Sequence, residues 1–226
     1  MQRNKYKYTG SEEYICQVVK KNQSENSNNQ IIEITAYHLQ DLSAVEKAPN
    51  LCKLNLIGGE LKNFQSLEKC SKLQALNLRL TKVEDFSSLQ KIKSIRYLEV
   101  VGMQKELIET ISKMSELKSL TLKHCCLSSL RGLRNLGNLS ELFIEDMGKD
   151  PGILEIFSIP SIERLKLFVP REYEQERTDW YLRSLKVNLP MLQWLELEMP
   201  AHEFHIETLE GLELRRFGVT SKRFEL

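Results

Sequence analysis

No stretch of the 226-residue sequence approaches the roughly 20 apolar residues that a helix needs to cross a bilayer, and no apolar run of signal-peptide length follows the basic start. A cytoplasmic protein is the expectation, with nothing to separate cytoplasm from nucleus and no membrane as a partner. Glycine (10) and proline (6) are scarce, which excludes collagen-like and low-complexity chains and leaves little room for long linkers. One continuous architecture follows. The five cysteines, Cys16, Cys52, Cys70, Cys125 and Cys126, are odd in number and lack CxxC spacing, so neither a disulfide framework nor a zinc ribbon is indicated. Neither sign of charge dominates, with 32 Lys and Arg against 31 Asp and Glu. Residues 1–137 hold 21 basic and 14 acidic residues, and residues 138–226 hold 11 and 17. The two halves therefore attract different partners, yet neither is basic or clustered enough to mark a nucleic-acid footprint.

What the chain does have is a repeat. The pattern apolar-x-x-apolar-x-apolar recurs in a constant step of 22 at Leu51/Leu54/Leu56, Leu73/Leu76/Leu78, Ile95/Leu98/Val100, Leu117/Leu120/Leu122 and Leu139/Leu142/Ile144. It continues at Ile162/Leu165/Leu167, Leu192/Leu195/Leu197 and Leu209/Leu212/Leu214, after steps of 23, 30 and 17, with a degenerate first copy at Ile32/Ile34. Between triplets the apolar period changes from two to three, as in Val83, Phe86, Leu89 and Ile92. Alternation suits a short strand, and apolar residues at every third position suit a 3₁₀ turn that returns the chain to the next strand. About nine such units cover residues 29–218, and none buries its apolar face alone.

These triplets resemble the 22-residue class of leucine-rich repeats, as found in internalins and a regulatory subunit of protein phosphatase 1, over about four fifths of the chain. The resemblance implies an α/β fold: a curved solenoid with a parallel β-sheet on its concave face and 3₁₀ or short helices on its convex face. Strands about 4.8 Å apart would make that sheet roughly 40 Å long. It also implies binding on the concave face, with no catalysis and no cofactor. One position departs from the family pattern. Where Asn or Cys is usual three residues past the last leucine, this chain has Gly59, Thr81, Met103, Cys125, Met147, Pro170 and Pro200; Thr81 and Cys125 are the plausible substitutes.

A repeat array needs its ends covered. Thr9 to Lys21, with Thr9 and Glu12 spaced as a capping box, predicts an amphipathic N-terminal helix, followed by a polar loop to residue 28. The long return over 168–191 predicts a helix carrying Tyr181, Leu182 and Leu185, started by Thr178 or Asp179. Residues 219–226 read as a tail, and an uncovered last strand makes a homodimer through the C-terminal end one expected assembly.

Alternation along each strand exposes the x positions. Those residues place Tyr97, Phe143, Phe168 and Trp194 on the solvent face, flanked by Glu99, Glu141, Glu145, Arg164, Lys166 and Glu196, with Asp146 and Glu198 alongside. Exposed aromatics among charges are the composition of interaction hot spots. A protein partner with a basic surface is expected there, bound by a regulator or inhibitor of an enzyme; an adaptor or assembly subunit using two faces is the alternative.

Catalytic constellations are weak. A Cys126 thiolate beside His124 lacks supporting geometry on a strand end, and Cys125 falls at a buried repeat position. His202 and His205 have no third ligand in register for zinc. Gly58-Gly59 lacks the later Gly and Lys of a phosphate loop. No small-molecule substrate is implied.

Overall fold

The computed structural model describes residues 4–10, 12–20, 31–102, 107–127, 129–145, 152–168, 175–199 and 206–221. Three strands open the chain: β1 (Asn4–Gly10), β2 (Glu12–Lys20) and β3 (Ile31–Tyr37). Then β4 (Lys53–Ile57), β5 (Glu60–Leu61), β6 (Ala75–Arg79), β7 (Lys82–Val83) and β8 (Tyr97–Val101) precede a short helix, α1 (Leu107–Ile111). Strands β9 (Ser119–Lys123), β10 (Glu141–Glu145) and β11 (Arg164–Phe168) lead to a longer helix, α2 (Gln175–Asn188), and β12 (Trp194–Met199) and β13 (Arg216–Ser221) follow. One eleven-stranded sheet runs β1-β2-β3-β4-β6-β8-β9-β10-β11-β12-β13, and β5 and β7 form a second, two-stranded one. From β3 to β13 the nine strands are parallel and lie in sequence order, each return crossing to the next position.

The register explains the repeat. Leu54, Leu76, Leu98, Leu120, Leu142, Leu165 and Leu195 align across consecutive strands, each no more than 2% exposed. Returns over Ser43–Lys47, Gln65–Lys69, Ser87–Lys91, Arg131–Asn135 and Ile153–Ser158 are 3₁₀. In the second of them each backbone N–H reaches the carbonyl three residues back, from Leu67 to Phe64, Cys70 to Leu67 and Leu73 to Cys70, so every third side chain points into the core. Those four side chains are buried. The returns start alike: Asn63, Asp85 and Ser129 each accept from the backbone N–H two residues on, at 2.7–3.0 Å, a local turn that frees the chain from the strand direction.

A further repeat feature lies just past each strand. His38, Gly58, Leu80, Gly102 and His124 all have positive φ, and each donates its N–H to the last carbonyl of the following strand. The side chains of the residues after Leu80 and His124 turn inward. Thr81 Oγ1 donates to the Leu56 carbonyl at 3.2 Å, and Cys125 Sγ to the Val100 carbonyl at 3.6 Å, 25 residues away in each case. Both residues are buried, so they satisfy backbone acceptors as the missing asparagines would. Met103, Met147, Pro170 and Pro200 lie outside the described residues.

Four expectations change. Residues 4–20 form a β-hairpin, with Gly10 opposite Glu12, and no helix; β2 pairs antiparallel with the edge of β3. Lys5-Tyr6-Lys7-Tyr8 alternates with period two, and Ile15, Val18 and Val19 are β-branched, so a free sheet edge wins over a weak helical pattern. The polar loop lies outside the described residues. The first copy is Ile31/Ile34/Ala36, because Ile34 pairs with Leu54 and Ala36 with Leu56. The last triplet is Leu214/Phe217/Val219, as Leu195 pairs with Phe217 and Leu197 with Val219. Leu209 instead ends the Ile206–Leu209 turn, which folds the look-alike triplet into the return. Residues 219–221, read as tail, complete β13, whose outer edge has no strand beside it among the described residues.

The long return is helical as expected, and α2 begins at Gln175, one turn before the proposed caps. Tyr181, Leu182 and Leu185 are at most 1% exposed, and the Tyr181 ring stacks on Phe157 at 5.0 Å.

Candidate functional site

The open face of the sheet is built from three rows, one before, one between and one after the buried leucines. On β10, β11 and β12 these rows bring together residues far apart in sequence. Phe143 and Trp194 come from strands separated by β11, and their rings meet edge to face at 5.7 Å with an interplanar angle of 88°. Arg164 on β11 stands between them, its guanidinium 5.8 Å from the Phe143 centroid and 5.3 Å from that of Trp194. Its Nη1 also donates to Glu141 at 2.8 Å. Two rings and a carboxylate hold the side chain while it stays 49% exposed, so its remaining donors face solvent.

Beside this cluster runs an alternating row of charge. Lys123 lies 3.8 Å from Glu99 and 3.5 Å from Glu145, and Lys166 lies 3.1 Å from Glu145 and 3.0 Å from Glu196. Five strands are thereby linked by five side chains. Burial by itself lowers the Lys166 pKa, but hydrogen bonds and charge from Glu196 and Glu145 outweigh it and hold the amine above the ordinary lysine value. A raised amine pKa means that its stabilisation is complete below the unfolded value, about 10.4, and is lost as pH rises through the folded one. The stability difference between wild type and Lys166→Met, about 1 kcal/mol for a partly solvated network, is expected to stay level from pH 6 to 9 and to shrink above about pH 10.4. Urea unfolding at stepped pH measures it, and a difference unchanged at high pH would remove Lys166 from the network's energetics.

Eight of the ten residues singled out in the sequence fall into this cluster and its charge row. Two stand apart: Tyr97, 49% exposed, lies in the same row as Glu141 but two strands away, and Phe168 is half-buried beside Glu198 with no ring contact among the described residues. Glu198, expected on the open face, is 5% exposed. Asp146 lies outside the described residues, as do His202 and His205. The Cys125 thiol is pushed up to about 11, first of all by burial, which leaves it protonated and un-nucleophilic at neutral pH. No group of three or more His, Cys, Asp or Glu among the described residues is arranged to hold a metal. No described helix is long and apolar enough to cross a membrane.

Two features of the open face do not follow from strand alternation. Lys123 is the bridge that joins Glu99 to Glu145. Toward the N-terminus, β3, β4, β6 and β8 also shape a groove of about 330 Å3 on the same face. Asn55 and Asn77, which occupy one repeat position on neighbouring strands, were its visible signal.

No protein-family model and no curated protein sequence matches the chain. Solved structures do. Internalin C2 of Listeria monocytogenes superposes with a TM-score of 0.58 at 16% identity, over 86% of this chain and 82% of that one. The chain has the leucine-rich repeat fold. An internalin F of the same organism gives 0.53 at 19% identity, over 81% of this chain and 54% of internalin F. Likeness at these identities establishes architecture alone, and the chemistry of the open face rests on this protein's own residues.

Proposed function

We propose that this leucine-rich repeat protein is a non-catalytic binding module that holds a protein partner on the open face of β10–β12 and thereby regulates or blocks an enzyme. The observation that carries this reading is the Phe143–Arg164–Trp194 cluster. Two aromatic rings on a solvent-facing sheet have no core to fill, and stacking on a guanidinium fixes all three side chains before any partner arrives, which lowers the entropy lost on binding. Glu141, Glu145 and Glu196 surround them against Arg164 and Lys166, an acidic balance suited to a basic partner surface and to faster, more selective encounter.

Affinity capture from the native organism, with the Phe143→Ala/Trp194→Ala double variant in parallel and circular dichroism to verify folding, tests the reading. Rebinding of the purified partner is expected to weaken by more than tenfold in the double variant, the loss usual for a central hot spot. Equal retention by both forms would move the contact away from β10–β12.

The adaptor reading has one observation of its own. Trp180 (54% exposed), Val187 (80%) and Met191 (51%) recur at helical spacing along α2 and the turn after it, on the return side of the sheet. An adaptor loses function when either face is altered, and a single-face regulator only when the open face is.

A further inference from the structure

The groove on the N-terminal half of the open face has chemistry of its own. Asn55 Nδ2 donates to Glu33 Oε1 at 3.0 Å and to Thr35 Oγ1 at 2.9 Å, which commits both its N–H groups toward β3. Its Oδ1 is therefore an acceptor facing β6, and Asn77 Nδ2 fills it at 2.6 Å. The carboxylate of Glu33 thus orients the Asn77 carboxamide two strands away. The second N–H and the Oδ1 of Asn77 have no partner among the described residues. One free donor beside one free acceptor is the complement of a peptide group, which offers a C=O and an N–H.

Two residues along β6, Arg79 is exposed at the groove's side. Ile57 on β4 and Val101 on β8 are its neighbours in register, both half-buried and apolar. The other charges lining the groove have counter-ions: Glu33 has Lys53 at 3.1 Å, and Glu99 has Lys123 at 3.8 Å. Arg79 has none among the described residues. A guanidinium with five donors and no counter-ion, between two apolar neighbours in register, is a receptor for a carboxylate. With both glutamates already paired, Arg79 is the charge left to meet a ligand, and it disfavours a basic segment. The basic surplus of residues 1–137 acts in the same direction at longer range.

We propose that this groove receives an extended acidic peptide segment of a partner protein. Arg79 takes a side-chain carboxylate between Ile57 and Val101, and Asn77 pairs with an adjoining peptide group, while the alternate side chains of the extended segment point away from the groove. The volume lies at the small end of the range for ligand clefts and suits a short stretch of chain. The site shares no residue with the cluster on β10–β12 and does not depend on that reading.

The test is fluorescence anisotropy with the full chain and a labelled eight-residue peptide that alternates Asp and Val, blocked at both ends. Parallel peptides carry Asn or Lys in place of Asp, and succinate serves as a competitor for small-carboxylate binding. Saturable binding of the acidic peptide is expected, at least about tenfold weaker for the Asn and Lys peptides. Arg79→Gln, at an exposed position, should weaken it roughly ten- to hundredfold, as for loss of a charge-assisted contact. Arg134→Gln removes the same charge from an exposed return and is expected to leave binding unchanged. Equal affinity for the Asp and Asn peptides, an Arg79→Gln effect no larger than that of Arg134→Gln, displacement by succinate at equal concentration, or no saturation by about 1 mM protein would each overturn the proposal.

Discussion

Truncating Leu120 to alanine is expected to lower the unfolding free energy by about 2–5 kcal/mol, a large share of the roughly 5–15 kcal/mol that stabilises a typical domain. Leu120 is fully buried on β9 and sits in register between Leu98 and Leu142, themselves no more than 2% exposed. The leucine row is continuous through neighbouring strands, so the cavity left by the lost methyl groups has no mobile surface to collapse into. Repeat arrays are held largely by nearest-neighbour contacts, and a defect in β9 weakens the coupling between the repeats on either side of it. Urea unfolding followed by circular dichroism should show an earlier midpoint. A loss below about 1 kcal/mol would mean that the row repacks, as only volume-conserving changes normally allow.

Gly59→Ala is expected to be nearly as damaging, for a backbone reason. Gly59 has a φ of +87°, and a Cβ there would lie 2.4 Å from the Leu39 carbonyl oxygen, 2.8 Å from the His38 carbonyl carbon and 2.9 Å from the Leu39 nitrogen. Every obstructing atom is main chain, so no rotamer change relieves the contact. Left-handed strain and overpacking each cost about 1–3 kcal/mol, and the sum is on the order of 2–6 kcal/mol. Gly137→Ala is the control, since a Cβ at that position meets nothing within 4 Å. It should leave stability unchanged or raise it by up to about 1 kcal/mol through the unfolded chain. Thermal unfolding of the two variants side by side decides this, and equal midpoints would show that the His38–Leu39 turn yields without cost.

Several features of the protein were legible in its residues because burial imposes a period. The triplets from Leu51/Leu54/Leu56 to Leu192/Leu195/Leu197 had to become strands, and Phe64, Leu67, Cys70 and Leu73 had to sit on a three-residue turn. Thr81 and Cys125 were recognisable as stand-ins for a missing amide because each carries a small donor at the position where one is needed. Phe143 and Trp194 were recognisable as surface residues from strand alternation alone. Other features had two local solutions. The segment around Tyr14 to Val19 has a tolerable helical face and a good strand composition, and it becomes β2 because β3 offers an unpaired edge. Leu209/Leu212/Leu214 copies the repeat pattern, yet placing a strand there would put Phe217 and Val219 out of register with Leu195 and Leu197.

Apolar spacing along single segments was enough to specify the parallel repeats from β4 to β12 and the inward side of those strands, because burial of the repeated leucines imposes the period. Only the tertiary structure decided which exposed residues meet. Arg164 lies between Phe143 and Trp194 because the returns before and after β11, although unequal in length, both deliver their strands level with their neighbours. The same holds for Lys166 between Glu145 and Glu196, and for the amide chain from Glu33 to Asn77. Lateral contacts on a sheet depend on strand register, and register is set by how the returns pack, a property of the whole array.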